Sequence, residues 1–155
     1  MPYTAAMHLR PPRPDEAGLL TDLCLRSKAV WGYDEAFMRA SRTELTLSAA
    51  DFATSSLQVA VEGDTVAGVV QVVVDGDNAD LAKLFIAPST LRAGLGRKLF
   101  DWAANDARQR GARWLWIEAD PDAADFYRRM GAVDDGVAPS GSIPGRFLPR
   151  LKLAL

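Results

Sequence analysis

Cysteine and histidine are nearly absent, with one of each, Cys24 and His8, in 155 residues. A lone cysteine has no intrachain partner, so no disulfide staples the chain, and a zinc site built from Cys and His ligands is excluded. No metal is expected, and the unpaired thiol fits a reducing, cytoplasmic setting. No stretch approaches the ~20 apolar residues that span a bilayer, and the Met-Pro-Tyr-Thr-Ala-Ala start lacks a charged head followed by an apolar run, so neither membrane nor export is expected. A dominant charge is also missing: 18 basic residues face 20 acidic ones, net −2, which supplies no overall field toward nucleic acid or an anionic membrane. What is present, 48% hydrophobic and 25% charged residues with 12 glycines and 9 prolines, is the composition of one globular domain, residues 1–155. A chain of this length buries roughly 68–70% of its unfolded surface without cross-links.

Hydrophobic periodicity predicts a short strand over 6–10, stopped by Pro11-Pro12-Arg13-Pro14. Pro14, Asp15 and Glu16 open an amphipathic helix in which Ala17, Leu20, Leu23, Cys24 and Ser27 recur at helical spacing up to Lys28. Trp31-Gly32-Tyr33-Asp34 ends it, and a second helical region over 34–53 is broken at 43–48. The β-branched runs 57–62 and 66–74, joined by Gly63-Asp64, and then 79–87 predict three antiparallel strands in series. Residues 94–110 place Leu95, Leu99, Trp102, Ala103 and Ala107 on one helix face, with Gly111 as a left-handed C-cap. A strand over 113–119, a short helix over 122–130 closed by Gly131, and extended segments over 133–139 and 146–155 complete the reading.

The chemistry-bearing segment is Leu84-Phe85-Ile86-Ala87-Pro88-Ser89-Thr90-Leu91-Arg92-Ala93-Gly94-Leu95-Gly96-Arg97, a strand that turns into a helix start. Amides at such a mouth point outward, the helix dipole adds about half a positive charge, and glycines admit a bulky polyanion close to the backbone. Arg92, Arg97 and Lys98 add cations. The Walker pattern is excluded because Gly-Lys-Ser/Thr is missing, and the dinucleotide fingerprint because Leu99 stands where its third glycine belongs. The plainer alternative is a tight loop with close helix packing.

This segment resembles the acyl-CoA loop, Gln/Arg-x-x-Gly-x-Gly/Ala, of the GNAT superfamily of N-acetyltransferases, with Gly94 and Gly96 in the glycine positions. Leu91 stands where the family has Gln or Arg, so Arg92 would take over part of the pyrophosphate contact. Downstream, Glu118-Ala119-Asp120-Pro121-Asp122-Ala123-Ala124-Asp125-Phe126-Tyr127-Arg128-Arg129-Met130-Gly131-Ala132 resembles the family's strand-then-short-helix segment with its middle compressed. Asp122 falls at an asparagine that contacts the pantetheine arm, and Ala132 replaces a phenylalanine. The resemblance implies an α/β (α+β) fold, the GNAT acyl-CoA N-acyltransferase fold, with a mixed, largely antiparallel central sheet flanked by helices. It also implies direct transfer of an acetyl group from acetyl-CoA, the co-substrate, to a primary amine of a small molecule or peptide through a tetrahedral intermediate. Cofactor contacts would come from the backbone at Leu84, Phe85 and Ile86, from Arg92, Ala93, Gly94, Leu95, Gly96 and Arg97, and from Asp122 and Tyr127. The Tyr127 phenol would protonate the departing thiolate; otherwise it is a packed aromatic. An acyl-CoA-binding sensor or interaction module without turnover is the alternative, acylation of tRNA-borne amines is disfavoured by the acidic balance, and a homodimer stays open.

An alkylammonium with pKa ≈ 10.4 costs about 4–5 kcal/mol to deprotonate at pH 7, an α-ammonium near 8 about 1–1.5, so a base matters most for the former. Glu118 shares a strand face with Trp114 and Trp116 by period-two alternation, where partial desolvation would make it the general base; the alternative is a strand-end or arginine-paired carboxylate. Substrate determinants are expected on two loops: Trp31 and Tyr33 as an acceptor wall, Asp34 holding an ammonium, and Arg146 a carboxylate or phosphate. The plainer reading makes Trp31 an anchor of the helix junction and the 139–146 loop merely tight. His8 is expected to be a satisfied structural histidine.

Overall fold

The computed structural model describes residues 7–88 and 94–155. Strand β1 (Met7–Arg10) runs into a 3-10 turn at Pro14–Glu16 and then helices α1 (Ala17–Ala29), α2 (Glu35–Leu45) and α3 (Ala49–Thr54). Strands β2 (Ser56–Glu62), β3 (Thr65–Asp75) and β4 (Asn78–Ile86) form the expected antiparallel series. Helix α4 (Leu95–Gln109), strand β5 (Trp114–Glu118), a 3-10 turn at Pro121–Ala123, helix α5 (Ala124–Arg129) and strands β6 (Val133–Pro139) and β7 (Phe147–Ala154) follow. The seven strands lie in the order β1-β2-β3-β4-β5-β7-β6. Every neighbouring pair is antiparallel except β4 and β5, which α4 connects as a crossover.

Alternation along the central strands assigns each helix its face. Ala60, Val70 and Val72 pack with Leu95, Leu99, Phe100 and Ala103 of α4, whereas Val59, Val61 and Val69 pack with Leu20, Leu23 and Cys24 of α1 and Leu45 of α2. The approach of α4 is close enough that a Cβ on Gly68 would stand 2.8 Å from Leu99 Cδ1 and 2.9 Å from Ile86 Cδ1. A side chain there would force the Leu99 and Ile86 methyls to shift.

His8 departs from expectation. It is exposed on the edge strand β1 opposite Val61, because its neighbours Met7 and Leu9 take the inward positions.

Two features of β4 shape everything that follows. Gln71 pairs with Lys83 but Val72 pairs with Leu81, so Ala82 is an extra residue, a bulge that bends the strand. On its other edge β4 pairs with β5 only where Asn78–Asp80 meets Trp114–Trp116. Beyond that point the two strands part, and the β4 backbone over 81–86 has no strand partner on that side among the described residues.

Candidate active site

The parted strands open a cavity of about 540 Å³. Residues 81–86 form one wall and residues 117–120 the other, with Leu84, Phe85 and Ile86 on the stretch of β4 that β5 leaves unpaired. At one end lies the start of α4. Gly94, the N-cap of α4, takes φ 99°, the left-handed region, and has no side chain with which to cap the helix. Leu95 is buried and anchors the first turn, while Gly96 lines the cavity beside the Phe126 ring, which a Cβ would meet at 3.3 Å.

Tyr127 of α5 closes this end. Its ring packs against Phe100 and Phe126 at centroid distances of 5.9 and 5.2 Å. Its hydroxyl makes no hydrogen bond with the described residues, although the residue is buried and lines the cavity. Burial, reinforced by the charge of Asp120, pushes its pKa well above that of an ordinary phenol, so the hydroxyl stays protonated and available as a donor.

The other end is built from side chains. The Tyr33 hydroxyl donates to Asp120 Oδ2 at 2.6 Å and accepts from an Arg146 guanidinium N–H at 2.8 Å. Lys28 Nζ stands 3.9 Å and Arg146 3.6 Å from the same carboxylate oxygen. Tyr33 and Phe37 stack at 3.9 Å with 13° between their planes, and both cations sit over the stacked rings, Lys28 at 5.5 and 5.6 Å and Arg146 at 5.1 and 4.8 Å. Burial pushes the Tyr33 phenol up to about 12 and pulls the Lys28 ammonium down.

A gap between two parallel strands, with a glycine-led helix start at one end and a phenol in its wall, is a specific arrangement, and residues 24–132 match the model of the Acetyltransferase (GNAT) family. The chain belongs to that family. Among solved structures, a GCN5-related N-acetyltransferase from Rhodopseudomonas palustris is 22% identical with TM-score 0.78, over 100% of this chain and 99% of that one. The Thermoplasma acidophilum PaiA N-acetyltransferase, solved with coenzyme A, is 13% identical with TM-score 0.77, over 97% and 99%. The ribosomal-protein-S18-alanine N-acetyltransferase of Escherichia coli is 16% identical with TM-score 0.71, over 96% and 94%. No curated protein matches the sequence significantly. The expected fold, a mixed, largely antiparallel sheet flanked by helices, is the GNAT fold found here, and the chain is an acyltransferase of the N-acetyltransferase type. Among the described residues no helix is long and apolar enough to cross a membrane.

The GNAT cavity gathers some of the expected residues and leaves others aside. Leu84, Phe85, Ile86, Gly96, Asp122, Tyr127, Glu118, Trp31 and Arg146 line it. Arg92 and Ala93 lie outside the described residues. Arg97 is exposed and not on the cavity wall. Asp34 is spent elsewhere: it accepts from Phe37 N at 2.8 Å as the N-cap of α2 and does not reach the cavity, so it holds no ammonium there. Tyr33 backs the wall, joining Arg146 to Asp120, and does not line it. Glu118 is exposed at the rim, because its face of β5 is open enough to leave Trp114 exposed as well, and the expected desolvation is not found.

Sequence reasoning passed over Lys28, Asp120 and Ser41. Asp120 had a signal, since a carboxylate two residues past the end of β5 stands near the strand's end. Ser41, in the middle of α2, had none.

Proposed function

We propose that this GNAT chain moves the acetyl group of acetyl-CoA directly to a primary amine of a small molecule or peptide. The observation that carries the reading is the unpaired β4 backbone over 81–86, facing a cavity into which the Tyr127 hydroxyl offers an unused proton. Acetyl-CoA fits these residues: the open backbone groups at Leu84, Phe85 and Ile86 receive an amide-bearing arm as a strand would, and Gly94 and Gly96 leave the α4 start clear for a diphosphate. Arg92 adds a cation to that diphosphate, and Asp122 stands along the arm. When bound, acetyl-CoA supplies an activated acyl group as a thioester. Tyr127 then gives its proton to the departing sulfur, and Glu118 receives the proton of the acceptor amine, directly or through water. Two neighbours support this reading, one solved with coenzyme A and one named for acetylating an alanine of a ribosomal protein.

The test is calorimetry with coenzyme A and acetyl-CoA, followed by thiol release over a panel of amines and peptides. Binding and release with at least one amine are expected. Binding without release on any amine would favour the sensor reading, and no binding at all would overturn the proposal.

A further inference from the structure

Two cations, Lys28 and Arg146, face two carboxylates, Asp120 and Glu44, on this side of the cavity, and neither cation makes a hydrogen bond to a carboxylate among the described residues. The Lys28 side chain is 16% exposed, yet its ammonium makes no hydrogen bond with the described residues and only approaches Asp120 Oδ2 at 3.9 Å. Arg146, 20% exposed, donates a single side-chain hydrogen bond among the described residues, to the Tyr33 hydroxyl. Asp120 is already engaged, its Oδ1 accepting from Asp122 N at 3.0 Å and its Oδ2 from Tyr33. On the same cavity, Ser41 is 1% exposed and its hydroxyl has no partner among the described residues. Ammonium and guanidinium groups carry donors only, and a half-buried cation without close pairing is costly. The Tyr33–Phe37 stack holds both cations in place, so they do not swing out to solvent for relief.

This wall is completed by a ligand that brings oxygen acceptors and negative charge. We propose that the acceptor amine carries its own carboxylate, gripped by Lys28 and Arg146 with Ser41 beside them, while the amine faces the gap between β4 and β5. The inference rests on the acetyl transfer proposed above. Glu118, at the rim, offers a carboxylate to the amine end of such a molecule. Asp120 and Tyr33 serve as positioning residues that aim the Arg146 guanidinium. A phosphate monoester shares the required chemistry, and the assay separates it.

Initial rates at saturating acetyl-CoA are compared across matched amines: amino acids, their carboxamides, and aminoalkyl phosphates of similar length. The expected kcat/KM for the carboxylate exceeds that of its carboxamide by about tenfold or more, the range of charge-assisted hydrogen bonds. Arg146→Gln and Lys28→Met each reduce that preference about tenfold. Carboxamides reacting as well as the acids, aminoalkyl phosphates reacting better, or a preference that survives both substitutions would overturn the proposal. So would coenzyme A binding with no turnover on any carboxylate. The wild-type comparison stands even if a variant fails to fold. Parallel calorimetry keeps the two proposals apart, since loss of coenzyme A binding sinks acetyl transfer itself, whereas normal binding with turnover indifferent to the carboxylate sinks only this inference.

Discussion

The two ends of the cavity are made of different material. At the α4 end the wall is backbone and glycine, from residues 81–86 and from Gly94 and Gly96. At the acceptor end they are side chains, and the Tyr33 hydroxyl joins partners 87 and 113 residues away in the chain. A backbone site tolerates most substitutions around it but demands small residues where the ligand comes close, so it leaves a pattern. A side-chain site is rewritten by single substitutions, so it is where one member of a fold differs from another in what it accepts.

The sharpest way to break this contrast is Gly96→Trp. A Cβ alone reaches 3.3 Å from the Phe126 ring, and an indole would fill the mouth of α4. Coenzyme A affinity by calorimetry is expected to fall about a hundredfold, a loss of about 2.7 kcal/mol, with helix content by circular dichroism retained. Unchanged affinity would show that the diphosphate lies elsewhere. Next in size is Tyr127→Phe, for which kcat falls about a hundredfold while coenzyme A affinity stays within about twofold. Because the hydroxyl makes no hydrogen bond with the described residues, its removal is expected to leave the melting temperature unchanged or slightly raised. A variant with full kcat would take Tyr127 out of the chemistry.

Legibility follows the same division. The α4 helix was readable because Leu95, Leu99, Ala103 and Ala107 repeat at its period and Gly111, at φ 94°, ends it. The glycine mouth was readable because φ 99° at Gly94 is a conformation that other residues rarely adopt. The parting of β4 from β5 was not, since how far two strands pair depends on both partners and the bulge at Ala82 has no composition of its own. Period two told which face of β5 Glu118 shares with Trp116, but not whether anything covers that face. Asp34 shows a local rule prevailing: an aspartate just before a helix start is first of all an N-cap, and that signal outweighed its place in an aromatic cluster. The Lys28–Asp120–Arg146 grouping exists only after three distant segments have met.

Asp120→Asn sharpens the contrast from the other side. It removes the carboxylate that Tyr33, Lys28 and Arg146 share, so KM for the acceptor is expected to rise about tenfold, the size of one charge-assisted hydrogen bond, with coenzyme A affinity unaltered. Equal losses at both ends would mean that the cavity works as one unit and the division drawn here is wrong.

The smallest effect is expected outside the cavity, at Glu16. Its carboxylate accepts from the Arg10 guanidinium at 2.8 and 2.9 Å and from Arg13 N at 2.8 Å, tying β1 to the start of α1. The Arg10 hydrogen bonds, chiefly, lower its pKa from 4.5 to about 2 despite burial. A depressed folded-state pKa means that the ionised pair stabilises the fold fully above about pH 4.5 and ceases to do so as pH falls toward 2. Glu16→Gln should therefore cost about 2 kcal/mol in urea unfolding at pH 7, and the difference from the wild type should shrink as pH drops through that window, with the kinetic constants at neutral pH unmoved. A gap that stays constant from pH 7 to 3 would assign the loss to packing, and a shift in either KM would show that the strand-to-helix corner communicates with the cavity.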